Sequence, residues 1–294
     1  MLMLANASVG QGAVCSSQSF HARKYRTCTR SLKLGGGLGG EQDPIRAVLL
    51  SEGTDALPPL VEVLVTLREH SVRLVKPPGV DELWQWYEQK GHLEGDPSWG
   101  KIWETSRALA AYILCGEGLE LDGIKVDMRG KRIAEVGCGL GLAGLTAALF
   151  ADCKSVTFCD REALAIHCAL SSAAINSIEV VACSDIGTSN GVEVAGALLD
   201  WAEPQAITHA VDVVIGADCL YDPDTAALLA QACSALLRNS GQVILCEPST
   251  ERALGCRAAF LHSALQTGAS KADVISLPSS EEDDASCVLV VVSW

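Results

Sequence analysis

Acidic residues are missing from the first forty positions of this 294-residue chain, although the rest of it is rich in them. Residues 1–40 carry five basic side chains and five serines. That leaves 22 − 5 = 17 basic and 36 acidic residues for positions 41–294, a net charge of −19. A body this acidic is poorly matched to nucleic acid phosphates and better matched to a basic substrate. We therefore expect no nucleic acid partner.

Paired metal-ligand cysteines and long apolar runs are also missing. The thirteen cysteines are scattered with no Cys-x-x-Cys pair, so a zinc framework is not predicted and the pattern is typical of a reducing compartment. No metal-ligand cluster stands out, and no metal is predicted. No uninterrupted apolar stretch is long enough to predict a membrane span.

Residues 1–40 resemble an organelle transit peptide because they contain Arg, Lys and Ser but no acid. Chloroplast is the first expectation for location, with mitochondrion or cytoplasm as alternatives. A disordered tail would have a similar composition. The run Gly35–Gly40 is typical of a flexible linker between this segment and the folded part.

Strand-like and helix-like segments alternate along the rest of the chain. A β-hairpin is predicted from strands 61–67 and 71–75, followed by helices from Asp81 to about 90 and from Thr105 or Ser106 to 114. Further strands are predicted at 131–136, 155–159, 178–183, 211–216, 242–246, 271–277 and 287–293, and helices at 142–150, 162–175, 224–237 and 251–266. Residues 185–197 are predicted as a loop. The alternation predicts an α/β fold with a parallel sheet, and the last two strands should be antiparallel because their connection is too short for a crossover helix. We assign residues 41–128 to an N-terminal extension and 129–294 to the core.

The segment from Ile133 to Phe150 is the most informative part of the chain. An apolar run carrying one acid, Glu135, opens into a loop with glycines at 137, 139, 141 and 144, and a helix-like run follows. Strand, glycine turn and helix bring a backbone close to a ligand, because glycine has no Cβ and a helix start presents unpaired N–H groups. The glycine pattern alone does not distinguish NAD, FAD and S-adenosylmethionine sites.

Asp160 ends the next predicted strand, 19 residues after Gly141. A carboxylate at this point can hold two ribose hydroxyls, which predicts a nucleoside-bearing cofactor. It could also cap the helix that follows.

Taken together, several motifs identify a family. They are Asp96-Pro-Ser-Trp99 with Trp103, the loop Glu135–Gly144, Asp160-Arg-Glu162, Leu199-Asp-Trp201 and Asp218-Cys-Leu-Tyr221. In this order they resemble the seven-β-strand (class I) S-adenosylmethionine-dependent methyltransferases, in particular the lysine-methyltransferase-like branch with an Asp-x-x-Tyr motif. The resemblance covers roughly residues 80–294. It implies a Rossmann-like, seven-stranded, mostly parallel sheet with an antiparallel last strand.

The resemblance also implies a role for each matching residue. Gly137, Gly139 and Gly141 would approach the methionine part of S-adenosyl-L-methionine, and Glu135 would help to hold its amino group. Asp160 would bind the ribose, and Asp200 and Trp201 would flank the adenine. Trp103 would cover the cofactor, while Asp218 and Tyr221 would line the site of methyl transfer, with Asp218 orienting the cofactor amine.

The implied activity is N-methylation, most plausibly of a protein lysine, by a monomer. Small-molecule N-methylation and a non-catalytic cofactor-binding assembly partner are alternatives, and an NAD-dependent oxidoreductase is disfavoured by the Asp-x-x-Tyr motif and the terminal hairpin. Two positions depart from the family pattern: Glu104 stands where many members have proline, and Glu247 stands where Asp-Pro is more familiar. Both flank the substrate side, so they bear on substrate identity.

Overall fold

The computed structural model describes residues 30–31, 57–115, 127–204, 210–277 and 286–294. The predicted transit peptide and glycine linker lie outside the described residues, apart from the two-residue strand at Arg30–Ser31. Within the described ranges, no helix is long and apolar enough to cross a membrane.

The strands and helices follow the predicted alternation. The strands are β1 (Arg30–Ser31), β2 (Val61–Leu67), β3 (His70–Lys76), β4 (Arg132–Val136), β5 (Ser155–Asp160), β6 (Glu179–Val180), β7 (Glu193–Leu198), β8 (Val211–Ala217), β9 (Leu237–Pro248), β10 (Lys271–Ser276) and β11 (Cys287–Ser293). The helices are α1 (Val80–Lys90), α2 (Glu104–Leu114), α3 (Leu142–Phe150), α4 (Ala163–Ile175), α5 (Pro223–Leu236) and α6 (Cys256–Gln266), with a 3-10 turn at Pro97–Gly100.

Eight strands form the central sheet in the order β10-β11-β9-β8-β4-β5-β7-β6. The inner pairings, from β9 to β6, are parallel, and β11 runs antiparallel to both β9 and β10. This arrangement confirms the predicted α/β class and the antiparallel last pair. The eighth strand, β6, contributes only two residues at the edge.

One predicted element is wrong. The loop expected over 185–197 contains β7, and the strand expected at 178–183 shrinks to β6. Strand β7 reads Glu-Val-Ala-Gly-Ala-Leu, whose alanines and glycine have little intrinsic preference for a strand. Its glycine is required by packing, since a Cβ at Gly196 would collide with Ile166 and lie 2.9 Å from Leu170 Cδ1 of α4.

Two apolar layers enclose the sheet because neighbouring residues in a strand point to opposite faces. Ile133 packs with the hairpin and helices α1 to α4, whereas Ala134 packs with α5 and α6. Helix α4 is buried along nearly its whole length. A helix that is apolar on all sides is stable only when it is covered on all sides, and α4 lies between the sheet and the hairpin.

The hairpin is fixed to the core by hydrogen bonds at one edge of β3. The backbone N–H of Arg73 donates to Asn176 Oδ1 at 3.2 Å, and that of Val75 donates to Ser172 Oγ at 2.8 Å. The Asn176 amide returns a bond to the Arg73 carbonyl at 2.7 Å. The hairpin of the N-terminal extension is thereby fixed against α4 and the residue that follows it.

Several helix ends differ slightly from the sequence prediction, for local reasons. Asp81 lies in the first turn of α1 and does not cap it, since the N-cap is Gly79. Helix α2 begins at Glu104, one residue before Thr105. Helix α6 begins at Cys256 rather than at 251, because Glu251 accepts N–H bonds from Gly255 and Arg257 and forms a turn before the helix.

Candidate active site

The glycine loop connects β4 to α3 at the carboxyl edge of the parallel sheet, where α/β folds bind ligands. Gly137, Gly139 and Gly141 have φ values of 55°, 50° and 72°, a region that other residues enter only with strain. A Cβ at Gly141 would also lie 2.8 Å from the Ala169 Cβ and 3.0 Å from Phe158 Cε1. Glycine is thus required here both by the backbone conformation and by contact with α4 and β5.

Glu135 lies beneath the loop and closes the start of α3. Its Oε2 accepts the Gly144 N–H at 2.8 Å, and only 3% of the residue is exposed. A Cβ at Gly144 would lie 2.7 Å from Phe158 Cε1 and would crowd this carboxylate, so the fourth glycine allows the bond to form. Burial raises the pKa of Glu135 to about 8, although the N–H donors of α3 oppose the shift.

Asp160 ends β5 and bridges two loops. Its Oδ2 accepts the Gly139 N–H at 2.9 Å, and its Oδ1 accepts the Glu162 N–H at 3.0 Å. Asp160 steadies the turn before α4 but does not cap that helix, whose N-cap is Glu162. Each Asp160 oxygen keeps a lone pair for a ligand, so the ribose role stays a prediction. Burial raises the pKa of Asp160 to about 6.

Asp218 follows β8 in a left-handed backbone conformation, with φ of 59°. Its side chain is 5% exposed and forms a two-bond ion pair with the guanidinium of Arg252. Thr105 Oγ1 of α2 lies 3.4 Å from Asp218 Oδ2. Helix α2 and the loop after β9 therefore meet at this carboxylate.

Glu247 supports the turn that follows Asp218. It is 2% exposed, and it accepts the N–H groups of Cys219 at 2.9 Å and Leu220 at 3.3 Å. Burial raises the pKa of Glu247 to about 8, and the neighbouring Asp218 adds to the shift. At this position the family pattern has aspartate, and the longer glutamate of this chain reaches both N–H groups.

Aromatic rings lie on two sides of the site. Trp201 and Tyr221 are 6.2 Å apart between ring centroids, and Tyr221 is 48% exposed. Burial of the hydroxyl raises the pKa of Tyr221 to about 12, so it stays protonated at physiological pH. Asp200 caps the turn beside Trp201 by accepting the Ala202 N–H at 2.8 Å.

Trp103 approaches from the N-terminal extension. Its Nε1 donates to the Ser98 carbonyl at 3.2 Å. Lys101 Nζ lies 4.3 Å and Arg252 Cζ lies 4.7 Å from the centroid of its ring. Two cations therefore contact the ring that, by the family resemblance, would cover the cofactor.

A second group from the extension contacts the site through Glu162. The Tyr87 hydroxyl donates to Glu162 Oε2 at 2.9 Å and accepts from Trp99 Nε1 at 2.9 Å. The Asp96 backbone N–H lies 3.4 Å from Glu162 Oε1, and the Asp96 side chain accepts the Ser98 N–H at 2.9 Å. These bonds hold the segment 96–100 against the loop that follows Asp160.

All ten residues singled out from the sequence line one cleft, which encloses about 1130 Å³ when space open to solvent is counted. They are Trp103, Glu135, Gly137, Gly139, Gly141, Asp160, Asp200, Trp201, Asp218 and Tyr221. Their proximity is a structural finding, while their individual roles stay predictions. In the described ranges, no group of three His, Cys, Asp or Glu side chains is placed to hold a metal ion.

Sequence reasoning missed Arg252, Tyr87 and the role of Glu162. Glu162 belongs to the Asp160-Arg-Glu162 motif, but nothing in the sequence links it to Tyr87, 75 positions away. The position of Arg252 could have been inferred, because Arg252 follows β9 just as Asp218 follows β8. Adjacent parallel strands end at the same edge, so residues after them can meet.

Residues 91–255, more than half of the chain, match the family described as Lysine methyltransferase. The chain belongs to this lysine methyltransferase family. The matched segment includes every one of the ten cleft residues named above.

Two curated relatives add detail. A protein N-lysine methyltransferase METTL21A of Danio rerio is 34% identical over 141 residues, which is 46% of this chain and 56% of the relative. A histidine protein methyltransferase 1 homolog of Bos taurus is 25% identical over 256 residues, which is 80% of this chain and 65% of the relative. The matched regions thus span between half and two thirds of these relatives.

Solved structures show a weaker likeness. A methyltransferase from Pyrococcus furiosus has a TM-score of 0.42 at 16% identity and covers 57% of this chain and 77% of its own. A structure of SMU.776 complexed with SAH has a TM-score of 0.49 at 12% identity and covers 79% of this chain and 56% of its own. With both scores below one half, neither structure contributes to the assignment of function.

Proposed function

We propose that this member of the lysine methyltransferase family transfers a methyl group from S-adenosylmethionine to the side-chain nitrogen of a protein lysine. The observation that carries the proposal is the single cleft in which the glycine loop, Asp160 and the Asp218–Tyr221 motif converge. The family match supports the same reading.

The cleft fits the cofactor chemically. Asp160 offers acceptor lone pairs at the end of β5, where a ribose edge would lie, and Trp201 offers an apolar ring beside it. Glu135 is buried beneath the loop with a carboxylate that can accept a bond from an amino group. An ammonium partner would favour its ionised form, so cofactor binding should release a proton from Glu135.

S-adenosylmethionine supplies a methyl group activated by a sulfonium centre. The chain's own contribution is to align the acceptor with that methyl group and to exclude water. Tyr221, protonated and half exposed, would form one wall of the acceptor channel. Trp103 would cover the opposite side, and an aromatic face beside a cation is favourable by roughly 0.5–2 kcal/mol.

A lysine acceptor must lose a proton before it reacts. With a pKa near 10.4 in water, only about one lysine in a thousand is neutral at pH 7. An acidic protein with a net charge of −19 over residues 41–294 would attract a basic target segment. Specificity for the target would then come from this attraction and from the shape of the channel.

A protein histidine is the second candidate acceptor, because the relative that aligns with 80% of this chain is a histidine protein methyltransferase homolog. Histidine is already neutral near pH 7 and needs no deprotonation step. Lysine is preferred since the family match and the relative of higher identity both refer to lysine.

The test is transfer of a labelled methyl group from S-adenosylmethionine to whole-cell extract, followed by identification of the labelled residue by mass spectrometry. Label on a lysine would support the proposal, and label on a histidine would favour the second candidate. Label in the small-molecule fraction would indicate a metabolite acceptor. Asp160→Asn serves as the control, because it should lose transfer together with cofactor binding.

Cofactor binding without transfer to any extract would instead favour a non-catalytic binding protein. An absence of any affinity for S-adenosylmethionine or S-adenosylhomocysteine would contradict the proposal as a whole.

A further inference from the structure

Arg252 is the cationic partner of the carboxylate at the acceptor end of the cleft. Its guanidinium makes both bonds of the ion pair to Asp218, and its Cζ lies 4.7 Å from the Trp103 ring centroid. Arg252 is thus in contact with two residues that line the cleft. Since it acts on the cleft through them, it is a positioning residue.

The loop that carries Arg252 is built to hold it. Glu251 accepts the backbone N–H of Arg257 at 2.7 Å and that of Gly255 at 3.2 Å. The Arg257 guanidinium donates to the carbonyls of Ser249 and Pro248. These bonds fold residues 248–257 into a turn and so fix the backbone from which the Arg252 side chain reaches Asp218.

The charges around Asp218 make this one cation important. Four other acidic side chains line the cleft, Asp96, Asp160, Glu162 and Asp200, against the basic Lys101 and Arg161. The buried Glu135 and Glu247 add little negative charge near pH 7, because burial raises the pKa of each to about 8. Without Arg252, a carboxylate that is 5% exposed would face the cleft unpaired. In a partly desolvated site, its field would act strongly on any cation nearby.

Both reactants of the proposed reaction are cations before methyl transfer, namely the sulfonium and the lysine ammonium. An unpaired carboxylate would hold each of them in its charged form, while only a neutral amine can attack the methyl group. We propose that Arg252 neutralises Asp218. The acceptor end of the cleft then does not favour the sulfonium over the neutral thioether that it becomes, and it does not favour the lysine ammonium over the neutral amine. This inference rests on the proposed function.

The experiment compares the affinities of S-adenosylmethionine, a cation at sulfur, and S-adenosylhomocysteine, which is neutral there, by isothermal titration calorimetry. Arg252→Gln keeps hydrogen-bond donors but removes the charge. Its affinity ratio should shift toward S-adenosylmethionine by roughly three- to tenfold relative to the wild type. Arg252→Lys keeps the charge and should retain the wild-type ratio within about twofold.

Arg257→Gln is the matched control, since it removes one positive charge from the same turn without touching Asp218. Glu251 still accepts the backbone N–H groups of positions 255 and 257, and glutamine keeps a donor for the Ser249 carbonyl, so the turn stays held. The double variant Asp218→Asn, Arg252→Gln removes both charges of the ion pair, and its ratio should return to the wild-type value. Should Arg252→Gln fail to fold, Asp218→Asn alone carries the test. It leaves the arginine unpaired, so its ratio should move toward S-adenosylhomocysteine.

An unchanged ratio in folded Arg252→Gln would overturn the inference, as would an equal shift in Arg257→Gln. Either result leaves the proposed function standing, because the wild type would still bind the cofactor. If the wild type binds neither compound, the proposed function fails together with the inference.

Discussion

Gly141 is constrained in two ways that can be separated by mutation. Its φ of 72° costs an alanine about 1–2 kcal/mol relative to glycine. A Cβ there would lie 2.8 Å from the Ala169 Cβ and 3.0 Å from Phe158 Cε1, neither of which is the tip of a flexible chain. Overpacking of this kind costs about 1–3 kcal/mol. Gly141→Ala should therefore lose about 2–5 kcal/mol of unfolding free energy.

Gly91 provides a matched control. Its φ is 74°, and a Cβ there would have no atom within 4 Å. Gly91→Ala should lose only the conformational part, about 1–2 kcal/mol. For a domain of this size, the difference between the variants corresponds to a gap in Tm of about 2–12 °C.

Urea denaturation and thermal unfolding, monitored by circular dichroism, would measure both variants. Equal losses for Gly91→Ala and Gly141→Ala would refute the reasoning, because they would mean that contact with α4 and β5 contributes nothing. A loss at Gly141 with unchanged cofactor affinity would in addition separate the loop's structural requirement from its proposed role in binding.

Three further outcomes are expected. Affinity for S-adenosylmethionine, measured by calorimetry, should rise with pH and level off near pH 8. The reason is that bound cofactor favours the ionised forms of Asp160 and Glu135, whose pKa values are raised to about 6 and about 8. An affinity that does not change over that pH range would count against both contacts. Glu247 has a pKa raised from 4.5 to about 8, so its contribution to the unfolding free energy is present below pH 4.5 and is lost as the pH rises to 8. Glu247→Gln should therefore reduce the loss of unfolding free energy between pH 4.5 and pH 8, measured by urea titration. An unchanged pH dependence in the variant would show that Glu247 does not cause that loss. Gly196→Val should destabilise the fold by roughly 1–3 kcal/mol or more, because the new side chain would collide with Ile166 of α4, and wild-type stability would show that α4 can move away.

The core strands and the glycine loop could be predicted because their local signals agree with the tertiary structure. The helix at 142–150 and the strand at 287–293 have the predicted bounds. In each case a largely apolar run coincides with the element. The order of strands in the sheet is encoded by no local pattern and was not predicted.

Strand β7 could not be predicted because its composition is set by a distant helix. Glycine is required at position 196 by α4, because Ile166 and Leu170 of that helix lie where a Cβ would be. Local propensity describes such a segment as a loop, and packing overrides it.

The candidate site shows the same division. Each of the ten residues chosen from motifs lies at the cleft. Most of these motifs follow parallel strands, and the carboxyl ends of such strands meet at one edge of the sheet. The ion pair between Arg252 and Asp218 and the bond between Tyr87 and Glu162 join positions 34 and 75 residues apart. Pairings at such separations depend on side-chain placement, which no periodicity in the sequence encodes.

The way in which β3 is attached to α4 decides where the hairpin sheet could recruit another strand. With the amides of Arg73 and Val75 already engaged by Asn176 and Ser172, that border has no free donors there for a neighbouring molecule. On the opposite border, the described part of β1 pairs with Val61 and Glu62. Within the described ranges, the far half of β2 is therefore the stretch of this border without a strand partner, and polar substitutions there are expected to suppress edge-to-edge association.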